Sequence, residues 1–266
     1  MATCLRFTAR RWQGNMTEKL NPLVEEPIQA DAHPRTKGGN RPSAGFIKAV
    51  SAVVWKDVQA EVRSRELFSA MLVFSLLMIL IFNFALELDV RTRQSVTAGV
   101  LWATFAFAGT LGLNRSMAIE KDRGCMDGLL LAPVDRSAIY FGKVISNLAF
   151  MLIVELIVLP VYSVLYNVNL FLPGLIMVIL LGSVGYVSVG TLLAAMSVQT
   201  RTRDILLPIL LFPVVIPLLI AAVQASGGFL TGADTVEIMP WINLLIAYDV
   251  ILTAAAYMLF DYIVEE

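Results

Sequence analysis

The chain has 266 residues, of which 58% are hydrophobic and 15% charged, with a net charge of −1 and a mean hydropathy of +0.74. A soluble domain is about 45–50% apolar and about 25% charged, so this composition excludes a soluble enzyme, a disordered chain and a collagen. The near-zero net charge excludes the strong field that steers polyanions, and with it nucleic acid as a partner.

The residue inventory removes further classes. Two cysteines, Cys4 and Cys125, make no disulfide framework. The single histidine, His33, makes neither a His-rich metal site nor a two-histidine haem ligation. No C-x-x-C-H and no G-x-x-x-x-G-K-[ST] occur, so the chain is no c-type cytochrome and carries no P-loop of its own. The expectation is a non-enzymatic chain with no catalytic residues, no metal and no cofactor of its own.

Residues 1–45 contain Pro22, Pro27, Pro34, Pro42 and the pair Gly38-Gly39, without apolar periodicity, and read as a disordered amino-terminal extension. No apolar h-region follows Arg10-Arg11, which argues against a secretory signal. Met1 to Thr17 has three arginines and no acid, as a transit peptide would, but Glu18, Glu25, Glu26 and Asp31 follow. The other reading is a start assigned too early, with Met16 as the initiator.

Residues 46–66 change character. Phe46, Val50, Val53, Val54, Val58 and Val62 recur at helical spacing, while Lys48, Lys56, Asp57, Glu61, Arg63 and Arg65 fall largely on other faces. This predicts an amphipathic helix in the membrane interface, with Trp55 and the bases at headgroup level, or else one packed on a partner.

Six membrane spans follow, over residues 67–260. Leu67–Leu86 and Gln94–Asn114 are uncharged windows of 20 and 21 residues, each about 30 Å long as a helix and so matched to a bilayer core. Leu156 to Thr200 is a 45-residue stretch with no charge. It holds the end of a third span that starts near Val144, a turn at Asn167-Val168-Asn169, and a fourth span from Pro173 to Met196. The fifth is Ile205–Ala225 and the sixth Trp241–Phe260, leaving a tail at 261–266. The fold class expected is an all-α polytopic membrane protein of six transmembrane helices behind an interfacial helix. With the amino terminus inside, 18 Lys/Arg fall on the inner side and only Arg91 and Arg93 on the outer. Both termini are therefore expected in the cytoplasm, where Cys4 and Cys125 stay reduced.

Three features could carry function. The inner segment Arg115–Lys143 has five bases and four acids (Glu120, Asp122, Asp127, Asp135), then Leu129-Leu130-Leu131 and Pro133, with Asp135 placed to cap a helix. An apolar patch ringed by mixed charge suits docking of a soluble partner; the alternative is a solvated loop whose leucines pack back on the bundle. Glu155 and Asp249 lie inside spans, where an ionised acid costs about 2.5–3.5 kcal/mol at the helix centre. No Lys, Arg or His is expected in any span to pair with them. They read either as a proton relay or substrate contact, or as protonated carboxyls in helix–helix hydrogen bonds. Pro208, Pro213 and Pro217 each remove a backbone donor from the fifth span, which predicts a broken or kinked helix. Gly182, Gly185 and Gly190 in the fourth span permit close helix approach.

From about Ser51 to Phe260 the sequence resembles the haem exporter protein B family (CcmB). Three stretches carry the likeness. Ala98–Lys143 has Gly99-x-x-Trp102, the mixed-charge run, Asp127-Gly128, the leucine-proline segment and Gly142-Lys143. Ile205–Ala222 is the triple-proline span, ILLPILLFPVVIPLLIAA. Lys56–Glu66 leads into the first span. The resemblance implies the permease of an ATP-driven (ABC) transporter in the bacterial inner membrane, serving cytochrome c maturation. It implies a separate ATP-binding subunit that binds the ATP, two permease copies, a haem-handling membrane protein and a small subunit, with haem as the substrate or as the group released to a chaperone. It also implies that Glu120, Lys121, Asp122, Arg123, Gly124, Asp127 and Gly128 form the contact that couples to the ATPase. Residues 1–45 have no counterpart in that pattern. Competing classes are an ABC-2-type exporter permease for a lipid, glycan or drug, and a proton-coupled secondary transporter using Glu155 and Asp249.

Overall fold

The computed structural model describes residues 45–85, 90–122, 136–198, 200 and 202–263. The expected extension, apart from Gly45, lies outside the described residues. The elements among the described residues are all helices: α1 Phe46–Ser64, α2 Glu66–Ala85, α3 Val90–Asp122, α4 Arg136–Tyr166, α5 Pro173–Ser197, α6 Arg203–Thr231 and α7 Thr235–Ile263. Six of these contain windows long and apolar enough to cross a membrane: Glu66–Ala85, Val96–Ile119, Ser137–Tyr166, Pro173–Ser197, Asp204–Thr231 and Thr235–Phe260. The chain is a multi-pass membrane protein.

Local sequence explains where helices stop. α1 ends at Arg65, whose φ of 54° breaks the helical path, and Glu61 Oε1 accepts a hydrogen bond from the Phe68 backbone N–H at 2.8 Å, satisfying the start of α2. The expected turn after α4 is present. Asn167 takes φ 53°, a conformation asparagine tolerates better than most residues. Ser163 Oγ bonds the Val168 carbonyl at 2.6 Å, and the Phe171 N–H bonds Asn169 Oδ1 at 3.0 Å. Pro173 then opens α5, where its missing N–H costs nothing. α6 closes at Gly232, φ 71°, with the Ala233 N–H on the Gly228 carbonyl at 2.9 Å.

The helices are longer than the uncharged windows. α3 begins at Val90 and takes Arg91 and Arg93 into its first turns, and it continues past Arg115 to Asp122. α4 begins at Arg136, so its apolar window starts at Ser137 rather than Val144, and α7 begins at Thr235 rather than Trp241 and runs past the expected tail boundary to Ile263. One expectation falls with these bounds. Lys143 and Arg115 both lie inside apolar windows, so the spans do contain cations. Each is there because an acid meets it, as described below. Of the two readings for the fifth span, broken or kinked, the helix is not interrupted: Pro208, Pro213 and Pro217 sit within one continuous α6. Pro213 is exposed and Pro208 and Pro217 are half-buried, while Leu207, Leu211, Val215 and Leu218 fill the interior. The prolines thus stand away from the bundle core, where the missing backbone bonds do not disturb its packing.

α5 is the central element. It packs against α3, α4, α6 and α7, and it and α3 bury 72% of their apolar windows, whereas α2 and α7 bury 22%. Glycine makes this possible. A Cβ at Gly182 would overlap the Trp102 ring of α3, one at Gly190 would overlap Leu113 of α3, and one at Gly185 would overlap Asp249 of α7. Small residues at a helix interface let backbones approach, which is the main source of packing in a membrane.

Candidate functional site

Two groups of polar side chains stand out against the apolar bundle. The first is at the end where α1 lies. Lys143 of α4 and Asp57 of α1 form a buried ion pair, Nζ to Oδ2 2.9 Å, with side-chain exposures of 4% and 8%. Lys56 approaches the other carboxylate oxygen of Asp57 at 3.4 Å. The reason is helical register: Ala49, Val53 and Asp57 form the buried stripe of α1, and Gly142 opposite Val53 lets α1 settle on α4. Asp57 therefore faces inward, not onto the polar face that the sequence pattern assigned to it. Phe46 and Val62, expected on the apolar face, are exposed, as is Trp55.

Further links join the same end. Arg115 of α3 meets Glu66 of α2 at 2.6 Å. Asn114 of α3 donates to Asp204 of α6 at 2.9 Å. Lys121 near the end of α3 donates to the Val198 carbonyl, at the C-cap of α5, at 2.6 Å. A cavity of about 150 Å³ remains between α1, α2, α3 and α4, lined by Lys56, Asp57, Glu61, Ser116, Lys143 and Phe150 among others. The salt bridges with exposed partners contribute little energy individually; their value here is that they tie helix ends together.

Of the expected coupling residues, Glu120, Lys121 and Asp122 form the last turn of α3 rather than a loop. Arg123, Gly124, Asp127 and Gly128 lie outside the described residues, as does the expected cap Asp135. The segment 115–143 is therefore helical over its first and last eight residues, and those turns carry three of the cross-links just described, from Arg115, Lys121 and Lys143, with Asn114 immediately before it.

The second group surrounds α5 within the spans. Ser183 Oγ donates to Glu155 Oε1 of α4 at 2.6 Å, and Glu155 is buried. Tyr186 shares a hydrogen bond with Thr110 of α3 at 2.6 Å. Tyr140 OH donates to the Ser188 carbonyl at 3.0 Å, and Asn147 Nδ2 to Thr191 Oγ1 at 3.1 Å, both from α4. Trp102 Nε1 of α3 donates to Ser226 Oγ of α6 at 3.0 Å. Asp249 of α7 lies against Gly185 and Leu218. Ser183 and Gly185 are two residues apart, about 200° around the helix, so Glu155 and Asp249 press on α5 from opposite sides and do not meet each other. That separation gives no support to a relay running directly between the two acids. Ser183→Ala is expected to cost about 0.6 kcal/mol, the average for an intramembrane hydrogen bond, and denaturation in detergent micelles would measure it. The sequence flagged the two acids but missed the Asp57–Lys143 pair. No short-range signal could have shown it, because the partners are on helices separated by two spans.

Among the described residues, no cluster of His, Cys, Asp and Glu could hold a metal. What the geometry offers is a mechanical junction at one end and a tightly packed, polar-braced central helix within the membrane.

Comparison with known proteins matches this architecture. A family model described as "CcmB protein" covers residues 48–261. Among relatives, "Heme exporter protein B" of Pseudomonas aeruginosa is 25% identical over 186 residues, covering 70% of this chain and 83% of the relative. The protein of the same description from Paracoccus denitrificans is 27% identical over 190 residues, covering 70% and 85%. That from Rhodobacter capsulatus is 26% identical over 174 residues, covering 64% and 78%. The family match begins in the first turn of α1 and ends in the last turns of α7, and so takes in all seven helices; the chain belongs to the CcmB protein family.

Proposed function

We propose that this protein is the membrane permease subunit of an ATP-driven haem exporter serving cytochrome c maturation. The observation that carries the proposal is the family match across the whole seven-helix unit, with relatives described as heme exporters. The chain has no P-loop, so the ATP is bound and hydrolysed by a separate subunit docked on the segment 115–143. The cross-links support that choice of dock. A push on this segment moves α3 and α4 directly, α5 through Lys121 and Val198, α1 through Lys143 and Asp57, α2 through Arg115 and Glu66, and α6 through Asn114 and Asp204. α7 is reached by ring contacts instead, Tyr140 with Phe260 and Phe141 with Tyr257. Glu120, Lys121, Asp122, Arg123, Gly124, Asp127 and Gly128 are the residues proposed to meet the ATPase.

The domain organisation proposed is a polar extension (1–45), an interfacial helix clamped to the bundle, six spans and a short tail. The protein sits in the bacterial inner membrane with both termini in the cytoplasm, on the side favoured by 18 of 20 bases. Two copies pair with two ATPase subunits and a haem-handling membrane protein. Haem is the substrate of the complex rather than a resident cofactor; the only histidine precedes the spans, so any haem ligation by histidine comes from a partner.

Two measurements test this. Deleting the gene should abolish holo-cytochrome c, and normal holo-cytochrome levels would overturn the haem assignment in favour of an exporter for another substrate. In an affinity-tagged protein, Asp122→Lys with Gly124→Pro should reduce ATPase co-purification about tenfold or more, the effect of losing roughly 1.4 kcal/mol of docking energy. Unchanged co-purification would place the dock elsewhere.

A further inference from the structure

Asp249 sits near the middle of its span, fourteen residues after Thr235 and eleven before Phe260. Its side chain is 7% exposed, and neither carboxylate oxygen has a hydrogen-bond partner among the described residues. Buried polar groups are nearly always bonded, and Glu155, also buried deep in a span, has Ser183 on one of its two oxygens. Asp249 also borders an open, mostly apolar groove of about 540 Å³ on the outer surface of the bundle, formed by Phe141 of α4, Leu181 and Val184 of α5, and Val250, Thr253 and Tyr257 of α7.

The α7 wall of this groove differs from an ordinary lipid-facing surface. α7 buries only 22% of its apolar window, as little as α2, yet its mean hydropathy is 1.8 against 2.4. Asn243, Ala247 and Ala254 are exposed along it at spacings of four and seven residues, a row of small and polar side chains that suits close approach by another helix. Lipid tails contain no hydrogen-bond donor, so hydrocarbon cannot satisfy Asp249. A second copy of this chain is a poor source as well. The two cations in the described spans are committed, Lys143 to Asp57 and Arg115 to Glu66.

We propose that the groove between α4, α5 and α7 receives a transmembrane helix of a different protein, carrying one Lys or Arg near its centre that pairs with Asp249. The aromatic rings of Phe141 and Tyr257, 5.7 Å apart, close one end of the groove and set the depth at which the helix seats. This does not depend on what the complex transports, and the test needs no transport assay.

The experiment uses the full-length purified protein in phosphatidylcholine vesicles and a fluorescent leucine-rich transmembrane peptide of about 20 residues, the length of a bilayer core, with either one central Lys or Leu at that place. Energy transfer from labelled protein to peptide should show the Lys peptide binding about tenfold more tightly than the Leu peptide. Asp249→Asn should remove most of that preference. Ala254→Trp, which fills the groove from an exposed position, should weaken Lys-peptide binding without changing the thermal unfolding of the protein, and it carries the test if Asp249→Asn fails to fold. Equal binding of the two peptides, an undiminished Lys preference in Asp249→Asn, or full binding in a folded Ala254→Trp would overturn the proposal. So would a shift of self-association, rather than peptide binding, when Asp249 is changed.

Discussion

Lys143→Ala will destabilise the helical bundle by about 3–5 kcal/mol, the cost of leaving one partner of a buried ion pair uncompensated. Asp57 keeps only Lys56, at 3.4 Å on a half-exposed side chain, and that residual contact places the loss toward the lower end. The carboxylate cannot turn to solvent, because Val53 above it is held against Gly142 on α4. The expected structural consequence is release of α1 from α4 before the spans themselves unfold. Two measurements check it: the unfolding midpoint in detergent, and the labelling rate of a cysteine placed at Val53, which should rise in the Lys143→Ala background. Asp57→Leu with Lys143→Leu should recover most of the loss, since replacing both partners by apolar groups removes the uncompensated charge. A single Lys143→Ala variant with unchanged stability and unchanged labelling would show that the pair does not hold α1 in place.

The second large effect is steric. Gly→Ala inside a helix ordinarily stabilises by about 0.5–1 kcal/mol through backbone entropy, and Gly99, with open space around its Cα, should behave that way. Gly182→Ala should have the opposite sign and cost about 1–3 kcal/mol, as overpacking does. The added methyl meets the Trp102 ring, a rigid group that is fully buried. Its indole N–H is bonded to Ser226, and its ring packs nearly perpendicular to that of Phe105 at a centroid distance of 6.1 Å. Trp102 can yield only by losing the bond between α3 and α6. The same substitution at Gly99 and Gly182, followed by thermal unfolding in detergent, gives the comparison. A neutral or stabilising Gly182→Ala would mean that α3 and α5 are looser than their packing indicates.

The membrane class and the number of spans were legible because they depend on a one-dimensional property: about 20 apolar residues suffice to cross the hydrocarbon, and hydropathy is additive along the chain. Turns were legible where chemistry is local, as at Asn167 and Pro173. Span limits were less so. Lys143 looked like the wet edge of a loop because a charge was weighed without its partner, and the partner is 86 positions earlier in sequence. The triple-proline span reads from sequence as broken or kinked, and the helix runs without interruption through all three prolines. The docking reading of segment 115–143 rests on its mixed charge and leucine run together with the family likeness, and Arg123, Gly124, Asp127 and Gly128 lie outside the described residues.

The low charge and high hydropathy of this sequence determined by themselves that it belongs in a bilayer and has six stretches long enough to cross it. The tertiary structure decided which charges are allowed inside. Lys143 and Arg115 are accommodated because acids from other helices reach them, and Glu155 because Ser183 does, while Asp249 faces a groove with no donor in reach among the described residues. The reason is that the cost of a buried charge depends on distance to its partner in space, and sequence spacing carries that distance only within a helix.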